Sequence, residues 1–134
     1  MPTKPFLTQA EVGRVLAAAR AEATQNRWAV TIAIVDDGGH PLALERLDGC
    51  APIGAYISVE KARTAALGRR ESKVYEEMIN AGRVSFISAP LQGMLEGGVP
   101  ILVDGHVVGA VGVSGVKSDE DARIARAGIA TLAG

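Results

Sequence analysis

The sequence has little of what marks several classes of protein. Cys50 is the only cysteine among 134 residues, so the chain cannot form an internal disulfide, which suits a reducing compartment. No apolar run approaches the roughly 20 residues that cross a bilayer, and the N terminus lacks the apolar core of an export signal. We therefore expect a cytoplasmic protein that does not enter a membrane.

Neither sign of charge is in excess, and aromatic residues are few. Lysine and arginine number 14 against 15 aspartates and glutamates, which gives a formal net charge of −1. A protein that neutralises nucleic-acid phosphates needs a basic surplus. One tryptophan, two tyrosines and two phenylalanines are too scattered along the chain to form a base-stacking platform. We therefore expect no nucleic-acid partner.

Apolar residues, by contrast, are plentiful. They make up 48% of the chain, and many of them are alanine, valine or isoleucine. A chain of this length forms one domain, which we place over residues 1–134. Because so small a domain cannot bury all of its apolar surface, we expect further copies of the chain to cover the rest in a homo-oligomer.

Two hairpins are the clearest pattern in the chain. The run WAVTIAIV is rich in β-branched residues, and the DDGG that follows suits a tight turn before the returning strand HPLALERLD. The run GVPILV, the turn Asp104-Gly105 and the run HVVGAVGVSG repeat this arrangement. Each hairpin predicts a pair of antiparallel strands.

Helices are predicted around the hairpins. The first begins at a capping box from Thr8 to Glu11, two more lie between residues of about 53 and 80, and the last begins at Ser118, an N-cap followed by three acidic residues. The segment 84–95, VSFISAPLQGML, is ambiguous, and we interpret it as a short strand that leads into a loop. This order predicts an α/β fold with helices layered on an antiparallel sheet of five strands.

Two histidines, His40 and His106, each follow the turn of a predicted hairpin. They lie 66 positions apart, so no short-spaced zinc-binding set of histidine, cysteine and carboxylate can be written. One interpretation makes both of them exposed turn residues. The other makes one of them an axial ligand of a haem or corrin, and His106 is the better candidate because its strand neighbours are apolar.

The second strand ends in two charges. Period-two alternation places Arg46 and Asp48 on one face with Leu42 and Leu44, and this predicts that both charges lie at the rim of the core. Further along, the turn from Ser114 and Gly115 to Ser118 leads into the last helix. Its free N–H groups could hold a carboxylate, or Ser118 could simply cap the helix.

Lys61 lies on a stripe of small and apolar residues along the second helix, at one-turn spacing from Ile57. It could extend to solvent, or pair with Asp48 or Glu60. In the alternative, Lys61 converges with Arg46 and the glycine-lined second hairpin, including Gly97 and Gly98. That arrangement would form a pocket with apolar walls and cationic ends for a small anion.

Four motifs, taken together, resemble the GlcG/HbpS haem-binding (haem-degrading) family, which includes domains fused to corrinoid adenosyltransferases. In chain order they are VTIAIVDDGGHPLALERLDG, KARTAAL, EGGVPILVDGHVVGAVGVSG and DEDARIARAG. The resemblance implies a profilin-like α-β-α sandwich, assembly into dimers or rings up to octamers, and haem or a related tetrapyrrole as ligand in some members. The positions that match the family pattern include Arg46, Asp48, Lys61, Gly97, Gly98, Ser114 and Gly115.

Two functional hypotheses follow. The first is a small-ligand-binding protein whose leading ligand is haem, with any turnover being oxidative degradation of the bound haem. The second is an enzyme or accessory protein of small-acid, glycolate-like catabolism, in which Arg46, Asp48 and Lys61 bind a carboxylate without a cofactor. A role as a scaffold, in which assembly itself is the function, is a third alternative.

Overall fold

The computed structural model describes residues 1–132 and contains four helices and a sheet of four strands. The helices are α1 (Gln9–Gln25), α2 (Ile53–Gly68), α3 (Lys73–Asn80) and α4 (Ser118–Ile129), and 3-10 turns cover Val84–Ser88 and Ala130–Leu132. The strands are β1 (Thr31–Asp36), β2 (Pro41–Arg46), β3 (Gly98–Val103) and β4 (His106–Ser114). None of the helices in these residues is both long enough and apolar enough to cross a membrane.

The capping box at the start of α1 is confirmed. Thr8 Oγ1 accepts a hydrogen bond from the amide of Glu11 at 3.3 Å, and the Glu11 carboxylate accepts one from the amide of Thr8 at 2.8 Å. The start of α4 differs from the prediction, because Lys117 is the cap residue and Ser118 is already helical. The amide of Lys117 donates to the Glu120 carboxylate at 3.2 Å, so a first-turn acid caps this end.

Both predicted hairpins are confirmed, and the sheet has the strand order β2-β1-β4-β3 with every pair antiparallel. The two hairpin turns therefore lie at one end of the sheet, which we call the hairpin end, and Ser114 lies at the other, the Ser114 end. Strand β1 pairs with β4 from Thr31 opposite Ser114 to Asp36 opposite Gly109. Consequently the turn residues of both hairpins are close in space although far apart in sequence.

The predicted fifth strand is wrong. Residues Val84–Ser88 form a 3-10 turn, and Phe86 stacks on Tyr75 of α3 with ring centroids 5.1 Å apart. This aromatic contact holds the segment against α3 rather than beside the sheet. Proline, which cannot donate to a ladder, follows at Pro90 and also occupies Pro100 of the edge strand β3.

The helices form layers on both faces of the sheet, which confirms the α-β-α sandwich. Helices α1 and α4 cover one face, over a core of large aliphatic residues that includes Ile32, Ile34, Ile101 and Ile124. Helix α2 covers the other face through small residues, among them Ala62, Ala65 and Ala66. The approach of α2 is so close that a Cβ on Gly112 would lie 2.0 Å from the carbonyl oxygen of Ser58.

Candidate functional site

Lys61 is buried, and both of its partners lie within the chain. Its Nζ donates to Asp121 Oδ2 at 3.0 Å and to the carbonyl oxygen of Val113 at 2.9 Å, and only 4% of the residue is exposed. The alternative in which Lys61 extends to solvent or pairs with Asp48 or Glu60 is therefore wrong. Because α2 and α4 cover opposite faces, this ion pair ties the two helical layers together at the Ser114 end of the sheet.

Two glycines make room for the buried lysine. A Cβ on Gly97, which has φ +133°, would lie 2.8 Å from Lys61 Nζ, and one on Gly98 would lie 2.1 Å from the Lys61 carbonyl oxygen. The glycines predicted to bind a ligand thus contact Lys61 itself. Gly97 leaves space for the lysine side chain that reaches Asp121, and Gly98 lets β3 approach the backbone of α2.

Asp121 holds the loop before α4 as well as the lysine. Its Oδ1 accepts a hydrogen bond from the amide of Val116 at 3.2 Å. Burial raises the pKa of Asp121, while the charge and hydrogen bond of Lys61 and the Val116 amide act in the opposite direction. An anion site was predicted in the turn from Ser114 to Ser118. The Val116 amide of that turn is already bonded to a carboxylate of the chain itself.

Arg46 does not join Lys61. Its Nε donates to the carbonyl oxygen of Cys50 at 3.1 Å, and the residue is exposed. Leu44, which shares its predicted face, is 46% exposed because α2 lies over β1 and β4 and makes few contacts with the edge strand β2, and Leu42 is 45% exposed. The pocket predicted from Arg46, Lys61 and the glycines is consequently not formed, and the carboxylate hypothesis loses those contacts.

An open cleft of about 360 Å³ lies at the hairpin end. The β1–β2 turn supplies Asp37, the end of α2 supplies Arg69, and the N-terminal segment supplies Lys4, while Leu102, Gly105, His106 and Val107 come from the β3–β4 hairpin. We call this the hairpin-end cleft. It brings together an exposed imidazole, two cations, one carboxylate and two apolar side chains, and of the predicted site residues it contains His106.

Lys4 and Arg69 are held in the hairpin-end cleft by the same turn residue. Lys4 Nζ contacts Asp37 Oδ2 at 2.6 Å, and this hydrogen bond lowers the pKa of Asp37. Arg69 Nη1 donates to the carbonyl oxygens of Asp37 at 2.6 Å and Ala66 at 3.0 Å. A guanidinium carries five N–H groups, so Arg69 keeps donors that could meet an anionic ligand.

His40 has a different environment from His106. Its Nδ1 lies 3.0 Å from Asp36 Oδ1, and 78% of its side chain is exposed. Burial raises the pKa of Asp36, but hydrogen bonds from the amides of His40 and Gly38 and from the imidazole outweigh it and lower that pKa overall. The contact with the carboxylate through Nδ1 orients the His40 ring. Within residues 1–132 no three histidine, cysteine or acidic side chains are grouped to hold a metal ion.

A family model described as "Haem degrading protein HbpS-like" matches residues 7–130, which is nearly the whole chain. The chain belongs to the HbpS-like family. The predicted resemblance is therefore confirmed.

Relatives of this HbpS-like chain agree with the match. Protein GlcG of Escherichia coli strain K12 is 62% identical over 114 residues, which cover 85% of each chain. The crystal structure of HbpS superposes with a TM-score of 0.88 at 28% identity, covering 98% of this chain and 94% of that one. A structure of a PduOC:heme complex superposes with a TM-score of 0.86 at 24% identity, covering 94% of each chain, and shows the same fold.

Three charged residues of the HbpS-like chain were not predicted from its sequence. Lys4 and Arg69 carry no motif, and only the tertiary fold brings them to the hairpin-end cleft. Asp121 did leave a signal, because it precedes the buried residues Ile124 and Gly128 at helical spacing of three and seven. That spacing places one of the three first-turn acids on the buried face of α4.

Proposed function

We propose that this HbpS-like protein binds haem at the hairpin-end cleft, with His106 as an axial ligand. The observation that carries the proposal is the meeting of His106, Lys4 and Arg69 with the apolar side chains of Leu102 and Val107 in one open cleft. The family description and the haem bound to PduOC, a protein of the same fold, support haem as the ligand class.

The chemistry of the cleft fits the parts of a haem. Imidazole nitrogen is a common axial ligand of haem iron, and His106 is exposed. Lys4 and Arg69 are suited to the propionates, because each retains free N–H donors beside its contact with Asp37. Leu102, which is 61% exposed, and Val107 offer apolar surface to the ring. The openness of the cleft favours a haem that is partly exposed to solvent.

Haem titration of matched histidine variants tests this proposal. We expect the parent protein to sharpen and shift the Soret band of added hemin, and His106→Ala to lose that spectrum and bind at least about tenfold more weakly. His40→Ala is the control, because His40 is equally a hairpin histidine but does not line the cleft. Full retention of the spectrum in His106→Ala, or its loss in His40→Ala alone, would contradict the assignment.

The two cations provide a second test of the same cleft. Replacing Lys4 or Arg69 with glutamine removes one expected propionate contact at an exposed site, so we expect a loss of up to about fivefold in affinity each. The spectrum of the bound haem should stay that of the parent, because the iron ligand is unchanged. Equal affinity in the double variant would exclude these cations from the site.

Degradation is tested separately from binding. Haem-loaded protein is given ascorbate and oxygen, and its Soret band is followed beside that of His106→Ala. Decay that depends on His106 would add turnover to the proposed function. A stable band in the parent would restrict the function to binding.

We further propose that a second copy of the chain covers the apolar side chains of β2 and α2. Leu44, Ile53, Tyr56 and Leu67 are between 43% and 76% exposed, and β2 is an edge strand. Large exposed apolar side chains on an edge strand and a neighbouring helix can be covered in a homo-oligomer. Sedimentation equilibrium should show a species larger than 13.9 kDa, and Tyr56→Lys should shift it toward the monomer. A parent that is monomeric at micromolar concentration would contradict the proposal.

A further inference from the structure

A second cleft, at the other end of the molecule, carries charges that the haem proposal does not use. It has a volume of about 370 Å³ and lies between the end of α1 and the end of β2. Its lining residues, which define what we call the α1–β2 cleft, are Thr24, Arg27, Trp28, Ala29, Leu47 and Asp48. The cleft thus contains one cation, one anion and two large apolar side chains.

Arg27 occupies a backbone position that favours glycine. It follows the C-cap of α1 with φ +60°, in the left-handed region. The amide of Trp28 donates to the carbonyl of Ala23 at 2.8 Å and that of Arg27 to Thr24 at 3.1 Å, which is the bond pattern of a helix end that usually carries glycine at this point. Here the strained position carries an arginine, and its side chain lines the cleft.

Asp48 faces the same cleft from the end of β2. Both Asp48 and Arg27 are exposed, yet within residues 1–132 no ion pair joins them and neither side chain has a hydrogen-bond partner. Elsewhere in the molecule some neighbouring opposite charges do pair, as the exposed Lys4 does with the half-buried Asp37, and the partly buried Arg20 with Glu45. Two opposite charges that share a cleft without meeting could be bridged by a ligand that carries both complementary charges.

Trp28 supplies a fixed apolar wall in the same cleft. The guanidinium of Arg123 stacks over its ring at 5.3 Å, and Arg123 is itself held by Glu22 at 2.9 Å. Trp28 and Leu47 are both partly buried against the main core, which fixes their positions in the cleft. A ligand that fits this wall carries an apolar group.

We propose that the α1–β2 cleft binds a small zwitterion of the α-amino-acid class with an apolar side chain. Arg27 receives the carboxylate and Asp48 the ammonium group, and the side chain packs on Trp28 and Leu47. This site is separate from the hairpin-end cleft, and nothing in it depends on haem. The protein would therefore bind an amino acid at one end and its haem at the other.

Trp28 makes the test direct, because it is the only tryptophan of the chain. The full-length protein is titrated with L-leucine, which does not fluoresce, while tryptophan emission and the heat of binding are recorded. We expect a saturable change in emission with the same midpoint as the calorimetric titration. Isocaproate lacks the ammonium group and isoamylamine lacks the carboxylate, and each should bind about tenfold or more weakly than leucine.

Arg27→Gly separates a binding role from a structural one. Glycine suits φ +60°, so this variant should melt at or above the temperature of the parent while its affinity for leucine falls about tenfold or more. Asp48→Asn should lose affinity for leucine to a similar extent and should no longer distinguish leucine from isocaproate. Arg14→Gln, which changes an exposed arginine of α1 outside the cleft, is the matched control and should bind as the parent does.

Three results would overturn the proposal. The first is that L-leucine at millimolar concentration produces neither a change in emission nor heat. The second is that Arg27→Gly and Asp48→Asn both bind leucine as tightly as the parent. The third is that leucine does not bind and Arg27→Gly changes the oligomeric state, which would assign the cleft to a second copy of the chain. None of these results bears on the haem proposal, because the two clefts are separate.

Discussion

The two ends of the sheet contain the same kinds of charged side chain in opposite environments. At the hairpin end, 67% of the Lys4 side chain is exposed and the lysine contacts the half-buried Asp37. At the Ser114 end, only 5% of the Lys61 side chain is exposed and its nitrogen is bonded to Asp121 and to a backbone carbonyl. Both pairs are close contacts. They differ in whether water, and therefore a ligand, can reach the cation.

This difference decides what each lysine can do. An exposed pair contributes little to stability because water competes for both partners, so Lys4 is free to exchange Asp37 for an incoming anion. A buried pair cannot be opened without leaving a charge in the core. Lys61 is therefore part of the structure, although its match to the family pattern alone does not distinguish it from a ligand contact.

The largest effect is expected from the same substitution made at the two ends. Lys61→Met leaves Asp121 buried without its cation and should lower the free energy of unfolding by about 3–5 kcal/mol, whereas Lys4→Met should lower it by about 0–1 kcal/mol. Urea unfolding followed by circular dichroism measures both values. Similar losses in the two variants would remove the distinction between the ends.

The dependence of stability on pH in acid gives a second test of the Lys61–Asp121 pair. In Lys61→Met the pKa of Asp121 should rise further, because the lysine that opposes the effect of burial is gone. A carboxyl whose pKa is higher in the folded than in the unfolded protein destabilises the fold when it is ionised. The stability deficit of Lys61→Met relative to the parent should therefore shrink as the pH falls through that raised pKa.

Glycine substitutions give an intermediate effect. Gly97 and Gly105 both have positive φ, of +133° and +78°, but a Cβ on Gly97 meets Lys61 whereas the space around Gly105 is open. We expect backbone strain to lower the free energy of unfolding by about 1 kcal/mol in both Gly97→Ala and Gly105→Ala. Gly97→Ala should lose about 1–3 kcal/mol more, because its new Cβ crowds Lys61. Thermal unfolding of the two variants checks the difference, and equal melting temperatures would contradict it.

The smallest effect is expected at Asp36 of the hairpin end. Asp36→Asn weakens the hydrogen bonds to His40, at a cost of less than about 1 kcal/mol because His40 is exposed. The folded pKa of Asp36 is lowered, so its contribution is present above the ordinary carboxyl pKa and is lost as the pH falls through the lowered value. The difference in melting temperature from the parent should accordingly vanish in strong acid.

The fold was largely predictable because its signals are local. The turns at Asp36 to Gly39 and at Asp104-Gly105, and the capping box at Thr8, are each encoded within a few residues. The segment Val84–Ser88 was not predictable in this way. Its apolar residues suit a strand, and the stacking of Phe86 on Tyr75 is a tertiary contact that overrides that propensity.

The candidate site was predictable only in part, for the same reason. His106 was identified from its position after a turn, but the approach of Lys4 and Arg69 depends on where the N-terminal segment and the end of α2 lie in the fold. The partner of Lys61 is 60 positions away, on the opposite side of the sheet. Residue type and periodicity indicate that Lys61 is unusual, and they do not identify the residue that neutralises it.

The ion pair between Lys61 and Asp121 has a consequence for local unfolding of the molecule. It joins two helices across the sheet, so neither α2 nor α4 can detach without exposing an unpaired charge, and their amide hydrogens should exchange with solvent only through global unfolding. The segment from α3 through Val84–Ser88 is packed mainly on itself. Its amides should exchange first, as a separate unit that opens while the sandwich stays folded.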